Sequence, residues 1–333
     1  MTLEWRPTAT ISTLKKRAQL LADIRAFFSA RNLLEVDVPA LSLSTVTDPH
    51  LQSIPAQVGS QQQFLQTSPE FYMKRLLAAG LGSCFYLGKA FRQDEQGRRH
   101  RPEFTLLEWY RVGFDDLQLR REVLELIAAL AGDVSHRQVS YRDLFVEYLS
   151  IDPHSATADE LALLAKSRLD FHWPDQGADA IGNTLGNTPL GSAMDKSSWL
   201  DLLFSHCIEP RLDSSCLDTI VLVYDYPACQ CALAKIERNE RGQTVAKRFE
   251  LFWNGMELAN GYWELTDKHE QAARFENDSQ TRRQLGLPAV EPDARLLEAL
   301  ATGLPECAGV ALGVDRLLMC LLDVGSIDEV VPF

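Results

Sequence analysis

Apolar positions along the chain recur at two spacings, and each predicts an element. Leu14, Leu21, Ile24 and Phe28 fall at helical intervals, and Ser12 is placed to cap a helix running to about Asn32. LEVDVPAL, Leu34 to Leu41, alternates and predicts a short strand stopped at Pro39. Ser68-Pro69 predicts a helix start and Gly80 its end. SCFYLGKAF and EFTLLEWYRV read as antiparallel strands joined by a long charged loop, Arg92 to Pro102. Leu117 to Ala131 is amphipathic at helical spacing. From about 135 to 200 the pattern breaks up into small helices and a Gly/Asn/Thr-rich stretch, which predicts a variable insertion. Strands return at TIVLVYDYP, RFELFWNGME and ANGYWELTD, followed by a helix from Lys268 to Gln284. AGVALGVDRLLMCLLDV predicts a strand, a glycine turn and an apolar helix.

Composition narrows the class. The 333 residues are 46% hydrophobic and 24% charged, an ordinary globular balance. No apolar run is long enough to predict a membrane span, and the polar start does not read as a secretory signal. The net charge of −13 disfavours long-range attraction to nucleic acid, although Arg98, Arg99, His100 and Arg101 form a local basic run. Cys84, Cys207, Cys216, Cys229, Cys231, Cys307 and Cys320 are scattered and odd in number, which predicts reduced thiols in a cytosolic protein. Gly82, Gly88 and Lys89 lack the spacing of a phosphate loop.

Three clusters carry candidate chemistry. In FRQDEQGRRHRPEFTLLEWY, Arg92 ends a strand and faces further cations, a pattern suited to phosphate or carboxylate. Asp94 and Phe104 could hold and stack a purine; a charged hairpin tip is the alternative. In RFELFWNGMELANGYWELTD, Glu250, Glu257 and Glu264 recur every seven residues among apolar neighbours. A turn at Asn254-Gly255 would set Glu250 and Glu257 across a hairpin, where paired carboxylates can hold Mg²⁺ on phosphate oxygens. Glu264 could receive an ammonium; three surface glutamates are the alternative. GVALGVDR brings glycines that allow close approach to a ligand, then Arg316 at a helix entrance.

Taken in this order, the clusters resemble the signature motifs of class II aminoacyl-tRNA synthetases, the lysyl subgroup above all. FRQDEQGRRHRPEFTLLEWY is similar to motif 2, GVALGVDR to motif 3 and LLEVDVPAL to motif 1; TSPEFYMKRLL and MELANGYWELTD resemble further lysyl-type stretches. The likeness covers almost the whole chain outside about 135–200. It implies an α+β fold, a mostly antiparallel sheet flanked by helices, in one catalytic domain spanning 1–333. No room is left for an anticodon-binding domain, so tRNA is not expected as a partner; a truncated lysyl-type enzyme charging tRNA and a catalytically silent regulatory paralogue are the alternatives. A free-standing lysyl-type core of this kind resembles the ligases that attach (R)-β-lysine to a lysine of elongation factor P. YDYPACQCALAK and Ala311, where lysyl synthetases carry glycine, point the same way.

The resemblance also implies roles. Arg92 and Arg316 would be the catalytic cations. ATP would be held by Arg92, Gln93, Asp94, Arg99, His100, Arg101, Phe104, Glu257, Leu258, Gly313 and Arg316, with Mg²⁺ on Glu250 and Glu257. Ser68, Pro69, Glu70, Glu108, Tyr110, Asn260, Glu264 and Ala311 would hold β-lysine or lysine. Pro39 would lie at a homodimer interface. Arg101, Asp94 and Trp263 depart from the residues usual in the family, Asn, Glu and a smaller side chain. Arg98 and Arg101 would form a basic rim for the protein acceptor.

Overall fold

The computed structural model describes residues 5–93, 95–171, 184–185, 188–189, 194–214 and 219–333. Two compact units are distinguished: residues 1–134 with 258–333, and residues 135–257.

The first unit is built on the strand Glu103–Val112, whose middle six residues are all buried. Burial on both faces requires partners on both edges and both sides. Cys84–Phe91 pairs antiparallel to one edge and Cys307–Gly313 antiparallel to the other. Met256–Trp263 pairs antiparallel to Cys307–Gly313 from Ala259 to Trp263, and Leu34–Glu35 adds a parallel edge beside Cys84. The helix Ile11–Ser29 lays Phe28 on this sheet, 4.9 Å from Phe85 and 5.1 Å from Trp109 between ring centroids. Its cap is Thr10 rather than Ser12. Thr10 has the extended backbone a cap needs, and its hydroxyl accepts from Thr13 N. LEVDVPAL pairs only at its ends, Leu34–Glu35 and Leu41–Ser42. Pro39 has no amide proton to give a ladder. Gln61–Leu65, which the hydrophobic pattern does not flag, joins Leu41–Ser42 and Pro55–Val58 in a small separate sheet.

A buried ion pair ties three elements of this unit together. Asp315, one residue before Arg316, lies 2.6 Å from Arg17 and accepts from the Thr105 amide at 2.7 Å. Arg17 also donates to the Thr105 hydroxyl at 2.7 Å and to the Val330 carbonyl at 3.3 Å. The N-terminal helix, the central strand and the helix Val314–Leu322 are therefore locked in one register.

In the second unit, Thr219–Pro227 pairs parallel to Ser135–Ser140 and antiparallel to Thr244–Trp253. The 135–200 stretch, read from sequence as irregular, thus starts with a sheet strand and continues into the helices Tyr141–Leu149 and Ala158–Arg168. SHRQVS is mostly polar, so strand alternation is invisible in it; its pairing supplies what its side chains do not. Tyr141 stacks on Phe145 and Phe204, centroids 4.7 and 5.3 Å away, and forms the aromatic core of this unit. Residues 172–183, with their Gly/Asn-rich sequence, and Cys216 lie outside the described residues. Among the described residues no helix is long and apolar enough to cross a membrane.

Candidate active site

Sheet register gathers four of the eight residues expected to hold the amino acid: Glu108, Tyr110, Asn260 and Ala311. Directly opposed residues share a face, as do residues two apart on one strand. One row across the first unit's sheet is Tyr86, Glu108, Ala311 and Asn260; the next is Cys84, Tyr110, Gly309 and Tyr262. Ala311 therefore projects its methyl between Glu108 and Asn260. Glycine at 309 leaves space that an added Cβ would take from the Tyr110 ring, and would bring that carbon 2.7 Å from Glu264 Oε1.

Three carboxylates converge beside this face. Glu108 accepts from the Ser68 hydroxyl at 2.6 Å and from Tyr110 at 2.9 Å. Ser68 also accepts from the Glu70 amide at 3.0 Å, so it orients Glu108 and starts the helix Glu70–Ala78, with Pro69 at the entrance. Glu264 follows the strand Met256–Trp263 and is anchored by its amide to the Cys307 carbonyl at 3.0 Å. The residue that sequence reasoning missed is Lys74. Its ammonium sits 2.6 Å from Glu70 Oε1 and 2.6 Å from Glu264 Oε2. Glu264 is 0% exposed and Lys74 and Glu108 2% each. The Glu70–Lys74 spacing of four on a helix was a visible signal. The partnership with Glu264 was not, because it joins distant segments.

Such an acidic pocket resists full ionisation. Burial foremost, then the neighbouring Glu70, pushes the Glu108 carboxyl up to about 8, against the Ser68 and Tyr110 hydrogen bonds and the Lys74 charge. Burial likewise pushes Glu264 up to about 8; Lys74 opposes this, and Glu70 and Glu108 reinforce it. Burial alone would lower Lys74, but Glu264 and Glu70 outweigh it and hold the ammonium charged. Glu264 Oε1 has no hydrogen-bond donor among the described residues. Protonated acids and an undonated buried oxygen describe a pocket that needs cations.

A second cluster of the first unit is cationic. Arg92 leaves the strand Cys84–Phe91, its amide bonded to the Pro102 carbonyl at 2.9 Å. Its guanidinium carbon is 5.1 Å from the Phe104 ring centroid, and it contacts Glu95 at 3.2 Å. Arg316 and the His100 ring are in direct contact, and Arg316 Nε reaches the Arg99 carbonyl at 3.4 Å. Burial and then Arg316 lower the His100 pKa, with Arg92 and Arg99 acting in the same sense and Glu95 against. Burial first, and then the cations around it, favour the neutral imidazole. Arg92, Arg99 and Arg316 with one acid close by fit a polyanion. Gly313, at the entrance of the helix Val314–Leu322, would carry a Cβ no closer than 3.8 Å to Arg316. Gln93 is exposed, and its amide bonds to the Gln52 carbonyl at 2.8 Å. Asp94 lies outside the described residues.

Arg98 and Arg101, expected on a basic rim, are engaged by the C-terminal segment. Arg98 donates to the Gly325 carbonyl at 2.6 Å. Arg101 pairs with Asp328 at 2.6 Å and donates to the Phe333 carbonyl at 2.7 Å.

In the second unit, Glu250 is buried, accepts from Tyr226 at 2.7 Å and pairs with Arg248. Glu257 is half-buried, beyond the Asn254-Gly255 turn, and Leu258, buried, opens the first unit's part of that strand. No group of three or more potential metal ligands occurs among the described residues.

Comparison with known proteins follows the same lines. The family model for class II tRNA synthetases (D, K and N) matches residues 1–333. An elongation factor P--(R)-beta-lysine ligase of Vibrio cholerae is 44% identical over 337 residues, covering 99% of this chain and 97% of the relative. The ligase of the same name from Photorhabdus laumondii is 43% identical over 338 residues, with 100% and 98% covered. That of Pasteurella multocida is 43% identical over 335 residues, with 99% and 97% covered.

Proposed function

Because this chain belongs to the class II tRNA synthetase family of the D, K and N type, we propose that it activates (R)-β-lysine with ATP and joins it to elongation factor P. The observation that carries this reading is the acidic cluster of Glu70, Glu108 and Glu264, of which Glu108 and Glu264 are buried, with Tyr110 donating to Glu108 and Ala311 directly opposite Glu108 in the sheet. An apolar or acidic amino acid would leave these carboxylates unmatched, whereas a diamino acid satisfies them.

The chemistry needs no covalent intermediate on the protein. A carboxylate oxygen of β-lysine attacks the α-phosphorus, the bond to pyrophosphate breaks, and the adenylate forms. The acceptor ε-amine then attacks the adenylate carbonyl, loses a proton, and AMP leaves with the carbonyl–oxygen bond electrons. Both steps are accelerated by positioning and charge neutralisation. Arg92 binds the α-phosphate and the substrate carboxylate, and Phe104 stacks on the adenine. Arg99, His100 and Arg316 bind the outer phosphates, and Arg101 and Gln93 line the loop that carries them. Glu264 and Tyr110 receive the side-chain ammonium, Glu108 the β-ammonium, and Asn260 lies near the carboxylate. Glu250 and Glu257 are assigned to Mg²⁺, which when bound neutralises phosphate charge. Pro39 and its neighbours are assigned to a homodimer interface. Six free cysteines among the described residues fit a reducing cytoplasm.

The test is incubation with ATP, (R)-β-lysine and elongation factor P, followed by intact mass. A gain of one β-lysyl residue on the acceptor, dependent on all three, is expected. An unmodified acceptor under conditions that modify it with the Vibrio cholerae relative sinks the proposal.

A further inference from the structure

The acidic pocket contains its own cation, and its position sets what the pocket can accept. Lys74 is buried on the first helix of the pocket, with Glu70 one turn before it and Glu264 reaching it from the sheet. Among the described residues Glu108 accepts from the hydroxyls of Ser68 and Tyr110. Once a cationic ligand draws Glu108 and Glu264 into their ionised forms, three carboxylates facing one fixed ammonium leave two negative charges for it to match. (R)-β-lysine brings two ammonium groups. We infer that Lys74 is a positioning and specificity residue: it bridges Glu70 and Glu264, cancels one of their two charges, ties Glu264 to the helix, and leaves Glu108 and Glu264 Oε1 as the two seats for a diammonium substrate. This rests on the activity proposed above and adds the charge rule behind it.

The geometry explains two details. Lys74 uses Glu264 Oε2, while Oε1 of the same carboxylate has no donor and faces the space beside Gly309. The lysine thus turns Glu264 so that its other oxygen is offered to a ligand. Glu70, at the start of its helix, is the most exposed of the three acids at 18% of its side chain, and it is the one Lys74 holds from its own element. The other titratable groups of the pocket add no charge. Burial and then Glu108 push Cys84 up to about 12, burial pushes Cys307 higher still, and Tyr110 is held protonated by burial and the surrounding acids.

The experiment compares the wild type with Lys74→Met, with Lys74→Met/Glu70→Gln, and with Lys74→Arg, by β-lysine-dependent ATP–pyrophosphate exchange from pH 6.5 to 9. Lys74→Met leaves three acids for two ammonium groups. Its β-lysine KM is expected to rise at least about 30-fold, the usual cost of an unmatched buried charge. Its ATP KM should stay within about twofold. One carboxyl must then stay protonated in the complex, so its kcat profile gains an inflection between about pH 7 and 9 that the wild type lacks. The double variant restores two net charges; its KM should return to within about fivefold of wild type and the inflection should vanish. Lys74→Arg keeps the charge and should show no inflection.

A single variant with unchanged β-lysine KM, or a double variant no better than the single, overturns the inference. Should Lys74→Met fail to fold, the double variant decides alone: a KM within fivefold supports the charge rule and a KM beyond about 30-fold refutes it. Absence of exchange in the wild type is a failure of the activity proposal instead. In that case the thermal upshift caused by β-lysine without ATP compares the same variants, with the same ranking expected.

Discussion

Gly309→Ala tests how tightly the amine pocket is built. The backbone there is not in the left-handed region, so an alanine is permitted by conformation and opposed only by space. Gly309 is directly opposite Tyr110 in the sheet, and the added carbon would overlap the Tyr110 ring. It would also lie 2.7 Å from Glu264 Oε1, where ordinary contacts begin at 3.4 Å. Neither neighbour is a loose chain end, since both are buried. If Tyr110 stays, overpacking costs about 1–3 kcal/mol. If it swings away, its 2.9 Å bond to Glu108 is lost, leaving that carboxyl with Ser68 alone, at a similar cost of about 1–3 kcal/mol. Either route disturbs the groups assigned to both ammonium ends. The β-lysine KM should rise about 10- to 100-fold, since 1.4 kcal/mol is a factor of ten. The Tm should fall by about 2–10 °C. The assay is pyrophosphate exchange, titrating each substrate at saturation of the other. Gly313→Ala is the control: its Cβ meets nothing nearer than 3.8 Å, so its Tm should not move. A Gly309→Ala enzyme whose β-lysine KM stays within twofold of wild type, or whose ATP KM rises equally, would refute this account of the pocket.

Three further outcomes are expected. Ala311→Gly removes the methyl between Glu108 and Asn260 and should shift the kcat/KM ratio of β-lysine to α-lysine toward α-lysine by about tenfold, within the range typical of one methylene; an unchanged ratio counts against a shape role for Ala311. Glu108 and Glu264 rise from 4.5 to about 8, so between those values the folded protein holds protons that the unfolded chain has lost. Ligand-free stability should therefore decline as pH climbs through this window, and the Tm gain from β-lysine should grow from pH 6.5 to 8.5 as its ammonium groups replace those protons; a gain that shrinks contradicts the assignment. Asp315→Asn strands the buried Arg17 and should cost about 3–5 kcal/mol by urea denaturation, and a loss below about 1 kcal/mol would show that this pair does not lock the central strand.

Sequence alone determined what is local or repeats along the chain. The helix Lys268–Gln284 has the bounds its pattern predicts, and the strands around Arg92 to Pro102 pair antiparallel as their flanking apolar runs require. The motif residues were legible because a charged side chain among apolar neighbours needs a reason, and their order along the chain is one-dimensional information. Four features were decided only by tertiary structure. Lys74 becomes the partner of Glu264 through contact between segments 190 residues apart in number. Gly309 matters because Tyr110 faces it across the sheet, while Gly313, more conspicuous in its motif, would bring a Cβ only into ordinary contact with Arg316 at 3.8 Å. Arg98 and Arg101, basic and apparently available in the sequence, are taken by the C-terminal segment. Ser135–Ser140, polar and featureless, becomes a strand because a neighbouring strand satisfies its backbone. In each case the deciding energy is that of a buried charge, a steric contact or a backbone hydrogen bond between distant segments. Such terms depend on which groups meet in space, and spacing along the chain carries no record of that.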